Sequence, residues 1–244
     1  MTRVVDWRGM LGLTDKQIAV VRRAFDYAAL DGDDDEEALD LAVAVYLSFR
    51  PAAFGRPEHE VKLLLACTAK PGCPVPVSQL RLLSVSHWGF DGKVHTGQLV
   101  VNRDVARPLA NVFRRLYDLR FPIRHMRLAH AYGPRRAYPA DGDVSGSFVC
   151  REAVPSPCTG GSRSGSWSNH AYGHAIDLNP VENPYVGCGR VHDPSSAPYV
   201  DRSRRRKGMV TPAVVRAFRS IGWGWGGEWS GATKDYMHFS TTGH

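Results

Sequence analysis

The sequence predicts an α+β protein, in which a central antiparallel sheet with flanking helices follows a small helical N-terminal region. Apolar residues recur at helical spacing before residue 69, whereas short strand-like segments alternate with turn residues from residue 75 onward. A run rich in Pro and Gly over residues 70–76 separates the two patterns. We therefore expect a helical region over residues 1–72 and a larger domain over residues 73–244.

The N-terminal region predicts three helices. T-D-K-Q at residues 14–17 is a capping box, and apolar residues follow it at helical spacing. An acidic run over residues 31–37 gives a second amphipathic helix the negative charge that a helix N-terminus favours. A third, short helix is expected over residues 57–65. Packing is the default role of these helices, because their apolar faces need a surface to bury.

The larger domain begins with a predicted hairpin and a helix. Residues 82–88 and 97–101 read as strands on either side of a turn-forming Asp91-Gly92 segment. Residues 105–117 then show helical spacing, with Pro108 in the tolerated first turn. The 43% hydrophobic content of the chain suffices for a real core.

Two more strands are predicted over residues 122–130 and 148–151, and a long polar stretch between them is typical of an active-site rim. His125 and His130 lack a carboxylate at ligand spacing, so we expect ordinary surface or core histidines. Further along, Thr211 precedes a proline in the pattern of an N-cap and first helical residue. The tryptophans that follow this last helix either line the site or pack in the core.

Two short motifs carry residue types that bind metal. The first, S-N-H-A-Y-G-H-A-I-D, starts at Ser168, and the second, D-Y-M-H, ends at His238. His170, Asp177 and His238 form the set of nitrogen and oxygen donors that a hydrolytic zinc site uses, with the fourth position left open for water. The sequence therefore predicts a zinc ion bound by these three side chains.

Backbone geometry indicates how each motif brings its side chains to one site. Gly173 permits a tight turn between His170 and a strand that carries Asp177. In the second motif, strict alternation would place Asp235 and His238 on opposite faces, so Asp235 must lie just outside the strand to reach the same site. There we expect Asp235 to act as the general base, taking a proton from water acidified by zinc.

These motifs resemble the zinc D-Ala-D-Ala carboxypeptidase and L-Ala-D-Glu endopeptidase family, which cuts bacterial cell-wall peptides. The pattern S-x-H-x-x-G-x-A-x-D is matched at every fixed position, and D/E-x-x-H follows it. The flanks resemble the endolysin-type branch, with F-V-C-R at residues 148–151 and G-W-G-W-G-G-E-W at residues 222–229. The resemblance covers residues 75–244 and implies a Hedgehog/D-Ala-D-Ala-peptidase-like fold with an open zinc site.

The resemblance also implies a role for Arg151, which falls where the family has an arginine facing the substrate. A fixed cation there stabilises the oxyanion that forms when water attacks a peptide carbonyl. A structural ion pair is the other interpretation, and Arg163 is an alternative candidate. His170 and His174 are four apart as in H-E-x-x-H, but Ala171 stands where that motif needs glutamate. His174 therefore either forms a wall of the site or contacts the substrate, or it has no specific role.

Bacterial peptidoglycan is the partner that the resemblance implies, with two reactions open. An L-Ala-D-Glu endopeptidase acting as a phage endolysin is favoured by the flanks and by the lack of a recognisable signal peptide. Such an enzyme stays in the host cytoplasm until another protein perforates the membrane. A terminal D-Ala-D-Ala carboxypeptidase and a non-catalytic, zinc-containing wall-binding protein are the alternatives. Nothing resembles a transmembrane span, a monomer is expected, and the N-terminal helices are candidates for wall targeting.

The net charge of +7 and the pI near 9.3 favour polyanionic partners. A wall rich in carboxylates and phosphates is one such partner, and nucleic acid is another. The run R-S-R-R-R-K at residues 202–207 resembles a nucleic-acid patch, but it lies between the two metal motifs. We expect a solvated loop there, with attraction to the wall as the functional option and no nucleic-acid partner.

The five cysteines do not form a paired C-x-x-C framework. An odd count without a recognisable secretion signal favours reduced thiols, buried as small apolar side chains. A disulfide between Cys150 and Cys158 is the alternative.

Overall fold

The computed structural model of the chain describes residues 72–128, 139–155, 157–158 and 166–244. These residues belong to one unit that spans Ala69–Leu128 and Tyr138–His244. The predicted N-terminal helices, His130 and Arg163 lie outside the described residues, so the expectations placed on them stay predictions. Within the described ranges, no helix is long and apolar enough to cross a membrane.

Strands β1 (Leu80–Trp88) and β2 (Val94–Asn102) form the predicted antiparallel hairpin. Their pairing is continuous over all nine residues of each strand. The predicted turn joins them, because Asp91 Oδ1 accepts a hydrogen bond from the Lys93 amide at 3.0 Å and Gly92 adopts a φ of 74°. The hairpin therefore confirms the prediction for this part of the chain.

Helix α1 (Arg103–Asp118) follows β2 directly. Asn102 caps it by accepting a hydrogen bond from the Asp104 amide, so the helix begins two residues earlier than predicted. Pro108 is consequently the sixth helical residue and not part of the first turn, and its missing N–H removes the hydrogen bond to the Asp104 carbonyl. The apolar face of the helix is buried: Val105, Leu109, Val112, Phe113 and Leu116.

Five short strands complete the sheets: β3 (Ala175–Asp177), β4 (Tyr185–Val186), β5 (Gly224–Trp225), β6 (Lys234–Asp235) and β7 (His238–Ser240). β7 lies between β3 and β5 in one sheet, and β4 pairs with β6 in another. Every pair is antiparallel, which confirms the α+β class. The strands of the described part of the chain are nevertheless divided among three small sheets instead of one central sheet, and a bend at residues 236–237 separates β6 from β7.

The strand predicted over residues 122–130 is wrong for its described part. Residues 122–128 are extended but make only isolated bridges, at Pro122 and His125. A continuous ladder is interrupted because Pro122 has no N–H and the Arg124 amide donates to the Asn179 side chain at 3.1 Å.

The strand predicted over residues 148–151 is also wrong. The Phe148 amide donates to the Val100 carbonyl at 3.2 Å, whereas the next amide, of Val149, donates to the His170 carbonyl at 3.3 Å. Successive backbone amides thus donate to two different segments, so a continuous ladder forms with neither. This segment instead ties β2 to the turn that carries His170.

The core is built where α2 (Pro212–Arg219) packs against β7. Thr211 caps α2, as predicted, and the Phe218 ring stacks on Phe239 with centroids 4.0 Å apart. Side chains alternate along a strand, so Phe239 enters the core while its neighbour His238 faces the opposite side. The buried aromatic pair therefore anchors the strand that supplies one of the predicted metal ligands.

Two disulfides join Cys73 to Cys150 and Cys158 to Cys188. The expectation of reduced thiols and the alternative Cys150–Cys158 pair are both wrong for these four residues. Sequence separations of 77 and 30 residues conceal the pairs, but the fold brings their Cα atoms to 5.7 and 5.1 Å, within the range of disulfides. Cys67 lies outside the described residues.

Candidate active site

His170 lies in a short 3₁₀ helix, Asn169–Tyr172, that is fixed at both ends. At its start, Ser168 Oγ accepts a hydrogen bond from the His170 amide at 3.3 Å. At its end, Gly173 adopts a φ of 70° and packs so closely that a Cβ atom there would lie 2.5 Å from the Asn102 amide nitrogen. The serine and glycine of the first motif therefore hold His170 in position.

The structure brings the three predicted ligands together. Asp177 of β3 and His238 of β7 stand opposite each other in the antiparallel register. His170 Nε2 lies 3.2 Å from Asp177 Oδ2 and 3.2 Å from His238 Nδ1, which in turn lies 3.1 Å from Asp177 Oδ1. Within the described ranges, no other three His, Cys, Asp or Glu side chains are grouped closely enough to hold a metal ion.

This donor set fits a divalent metal of the zinc type. His170 Nδ1 lies 2.5 Å from the Ser147 carbonyl oxygen and donates its proton there, so Nε2 turns its lone pair toward the site. Burial raises the pKa of Asp177, but His170 and His238 outweigh burial and hold that pKa well below its ordinary value. Two imidazole nitrogens and an ionised carboxylate are ligands that zinc uses.

Asp235 reaches the same site from a different sheet. It lies at the end of β6, and the bend at residues 236–237 breaks the alternation that would keep it away from His238. The sequence requires such a departure from regular strand geometry, and the bend provides it. Gly226 packs against this strand so closely that a Cβ atom there would lie 2.8 Å from the Asp235 Cβ.

The Asp235 carboxyl has the environment of a general base. Its Oδ1 atom is buried and makes no hydrogen bond with the described part of the chain. Burial and the charge of Asp177 raise the pKa of Asp235 to about 7, although His238, His170 and Arg151 act in the opposite direction. A carboxyl group with a pKa near neutrality can accept a proton and also return it.

A cleft of about 760 Å³ opens over these four side chains. Its volume is within the range of sites that bind small substrates. The Trp229 ring stacks on His244 with centroids 5.9 Å apart, and Trp229 Nε1 donates to the Gly243 carbonyl. Further walls come from Arg151, Trp167 and Tyr185.

Arg151 lines the same cleft as the four side chains. Its side chain is exposed, and Nη1 donates to the Glu152 carbonyl at 3.1 Å. The guanidinium charge also acts on Asp235, lowering the pKa of that carboxyl. Arg151 therefore faces the cleft that holds Asp235, while its role toward a substrate stays a prediction.

His174 does not line the active-site cleft, so its interpretation as a wall of the site is wrong. Its Nε2 lies 3.0 Å from Asp104 Oδ1 at the start of α1.

The two interpretations of the tryptophans hold for different residues, because Trp223 is buried beside Phe218 whereas Trp229 lines the cleft. His125 lies 3.1 Å from Asp141 and takes no part in the metal group.

The sequence did not indicate the parts played by Tyr185 and Ser147. Tyr185 stands opposite Asp235 in the β4–β6 pair, and burial together with the Asp235 charge raises the pKa of its hydroxyl. Ser147 orients His170 through its backbone carbonyl, so no side-chain pattern could have revealed it.

Residues 162–241 match the sequence model of a family described as D-alanyl-D-alanine carboxypeptidase. The matched range contains His170, Asp177, Asp235 and His238, whereas Arg151 lies before it. No curated protein and no solved structure matches the chain significantly. The family match supports a peptidase that acts on peptidoglycan.

Proposed function

We propose that this chain is a zinc-dependent peptidase that hydrolyses the stem peptide of bacterial peptidoglycan between L-Ala and D-Glu. The proposal rests on one observation above all. The Asp235 carboxyl lies beside a His/Asp/His donor group, its pKa is raised to about 7, and its buried Oδ1 has no hydrogen-bond partner among the described residues. The family match over residues 162–241 supports the same chemistry.

Three side chains would hold the zinc ion: His170 through Nε2, His238 through Nδ1, and Asp177 through its carboxylate. When bound, zinc polarises the scissile carbonyl and lowers the pKa of water to about 7. Ser147 keeps the His170 ring in the tautomer that leaves Nε2 unprotonated. The low pKa of Asp177 keeps its carboxylate ionised for the metal.

Asp235 moves the proton in this mechanism. Its carboxylate accepts a proton from the attacking water and then gives that proton to the nitrogen of the leaving amine. A raised pKa suits this shuttle, because a carboxylate of ordinary pKa is a weaker base and its protonated form is scarcely populated at neutral pH. The bend after β6 keeps this group beside the metal ligands.

Arg151 supplies the cation of the cleft. Its exposed guanidinium lies on the wall of the cleft, where it would donate to the oxygen that becomes negative as the carbonyl is attacked. Trp167 and Trp229 give the same cleft apolar walls that fit the methyl groups of a stem peptide.

A terminal D-Ala-D-Ala carboxypeptidase is the second candidate. The description of the matched family and the position of Arg151 both favour it, since a guanidinium on the cleft wall also suits the terminal carboxylate of such a substrate. We prefer the endopeptidase because the segments at residues 148–151 and 222–229 resemble the endolysin-type branch.

We also propose that the protein is a monomeric phage endolysin that reaches the wall once the host membrane is perforated. The two disulfides support a site of action outside the reducing cytoplasm. A non-catalytic wall-binding protein with the same metal group is the remaining alternative, and it predicts metal content without turnover.

The test is mass spectrometry of the soluble products released from purified peptidoglycan, before and after chelation and after zinc is restored. New N-terminal D-Glu that disappears on chelation and returns with zinc is the expected result. Loss of one terminal D-Ala would assign the carboxypeptidase instead. If several wall types give no metal-dependent product, the proposed peptidase is wrong and the wall-binding alternative stands.

A further inference from the structure

A second cleft lies at the basic run of residues 202–207 and the start of α2. Its volume is about 420 Å³, and it shares no lining residue with the active-site cleft. Five of its lining side chains are arginines and a single one is acidic: Arg202, Arg205, Arg206, Arg216, Arg219 and Glu228. We call this feature the arginine cleft. Its lining carries four positive charges in excess.

Two of these arginines make contacts within the protein that stabilise the fold. Arg202 donates to the carbonyls of Glu182 and Val210 at 2.9 and 3.2 Å, and to Asn183 Oδ1 at 3.0 Å. Arg219 forms an ion pair at 2.5 Å with Glu228, which is the single acidic residue of the lining. Their positions are therefore explained without a ligand.

The other three arginines have no acidic partner among the described residues. The side chains of Arg205 and Arg216 are exposed and make neither a hydrogen bond nor an ion pair with the residues that the structure describes. The Arg206 guanidinium lies over the Tyr199 ring at 5.9 Å, a contact that leaves its donors available. Three arginines without a described acidic partner thus line one concavity, and the repulsion between their positive charges is relieved when an anion binds there.

The chemistry of the arginine cleft selects the kind of anion. Guanidinium groups match the oxygens of phosphate with paired hydrogen bonds, and several of them together suit a phosphate group better than a single carboxylate. Met209, Val215 and Trp225 give the cleft an apolar wall beside these donors. The site therefore fits a phosphate group attached to a compact carrier, such as a polyol or a sugar.

We propose that the arginine cleft is a second binding site, which takes a phosphodiester group of an anionic cell-wall polymer and holds the enzyme on its substrate. The identity of the polymer rests on the proposed wall peptidase, whereas the preference for phosphate rests on the cleft alone. A single-stranded nucleic acid is a poorer match, because such sites stack successive bases on several aromatic rings and Trp225 is the one aromatic side chain of this lining.

The test compares the binding of three probes to the zinc-loaded full chain by isothermal titration calorimetry at low salt. The probes are poly(glycerol phosphate), inorganic phosphate and a ten-residue thymidine oligonucleotide. We expect saturable binding that is tightest for poly(glycerol phosphate) and that weakens as salt is added.

The variant R205A/R216A removes two exposed, unpaired arginines of the cleft. We expect it to bind poly(glycerol phosphate) about 100-fold less tightly, since the loss of a charge-assisted hydrogen bond corresponds to about tenfold per arginine. The matched control R107A/R114A removes two exposed arginines of α1, which do not line the cleft, and should change the affinity by less than about threefold.

Four outcomes would overturn the proposal: no saturable binding, equal weakening in both double variants, tighter binding of the oligonucleotide, or equal affinity for inorganic phosphate and the polymer. Hydrolysis of a soluble stem peptide by R205A/R216A separates this proposal from the proposed function. Full hydrolysis with lost polymer binding supports both. Polymer binding by a chain that hydrolyses no peptide would leave the phosphate site standing and refute the peptidase.

Discussion

Replacing Asp235 with asparagine tests the assigned base most directly. The amide is nearly isosteric with the carboxyl, so it keeps the contact with Gly226 and the geometry of β6 while removing the proton acceptor. Asp235 is not one of the three grouped donors, so we expect D235N to bind one zinc ion as the unmodified chain does. Hydrolysis of peptidoglycan should nevertheless be largely lost.

The expected loss follows from what a positioned base contributes. General acid–base catalysis is worth about 10²- to 10⁴-fold, or about 3–5 kcal/mol of transition-state stabilisation. Asp235 should lie toward the upper part of that range, because the buried Oδ1 has no other hydrogen-bond partner among the described residues and burial raises the pKa of the carboxyl above its ordinary value. Steady-state kcat on a soluble stem peptide measures the loss.

The pH profile gives the same prediction a second readout. A base works only when deprotonated, so activity should fall as pH drops through the pKa of Asp235. The bound metal adds positive charge nearby, which places this acidic limb below pH 7. D235N should lose the limb together with the activity, and the exposed-site control D118N should keep both. The reasoning is refuted if zinc-loaded D235N keeps a tenth or more of the original kcat.

Three further predictions concern the metal, a buried carboxyl and a turn. H238A should lose zinc and activity together, as measured by metal analysis of the dialysed protein, because it removes one of the three proposed ligands. Burial and Asp143 raise the pKa of Glu182 to about 7 despite the opposing effect of Arg124, so this group favours the folded state at low pH and loses that contribution as pH rises from about 4.5 to 7. Across this pH range, the unfolding free energy of the unmodified chain, measured with urea, should therefore fall by up to about 3 kcal/mol more than that of E182Q. Parallel curves of unfolding free energy against pH would contradict the assignment. G173A should lower the unfolding free energy by at least about 1 kcal/mol, because its φ of 70° and its approach to Asn102 exclude a side chain, and an unchanged thermal midpoint would argue against this role.

The candidate metal ligands were more predictable from the sequence than the sheet that carries two of them. His170, Asp177 and His238 are specified by residue type and by short motif spacing, and the structure groups their donor atoms. The single central sheet was not predictable in the same way. Strands of two or three residues, such as β4 and β6, carry too few positions for an alternating pattern, and their pairing depends on contacts distant in sequence.

The disulfides show a second limit of sequence reasoning. Cys73 and Cys150 are 77 residues apart, and only the folded chain shows that their Cα atoms meet. The same bond has a consequence for the site, because Cys150 directly precedes Arg151 on the wall of the active-site cleft. A residue assigned to oxyanion stabilisation is thus held by a covalent link that spacing alone could not predict.

The two clefts are joined through the bend that positions the base. Trp225 lines the arginine cleft and donates from Nε1 to the carbonyl of Tyr236, the residue after Asp235, at 2.8 Å. The Arg202 guanidinium lies 4.6 Å from the centre of the Tyr236 ring. Substituting Arg202 would therefore disturb the bend and catalysis together, and a loss of wall binding in that variant could not be assigned to either site. Arg205 and Arg216 make no hydrogen bond or cation–π contact with Tyr236 within the described ranges, so we expect their removal to separate polymer binding from peptide hydrolysis.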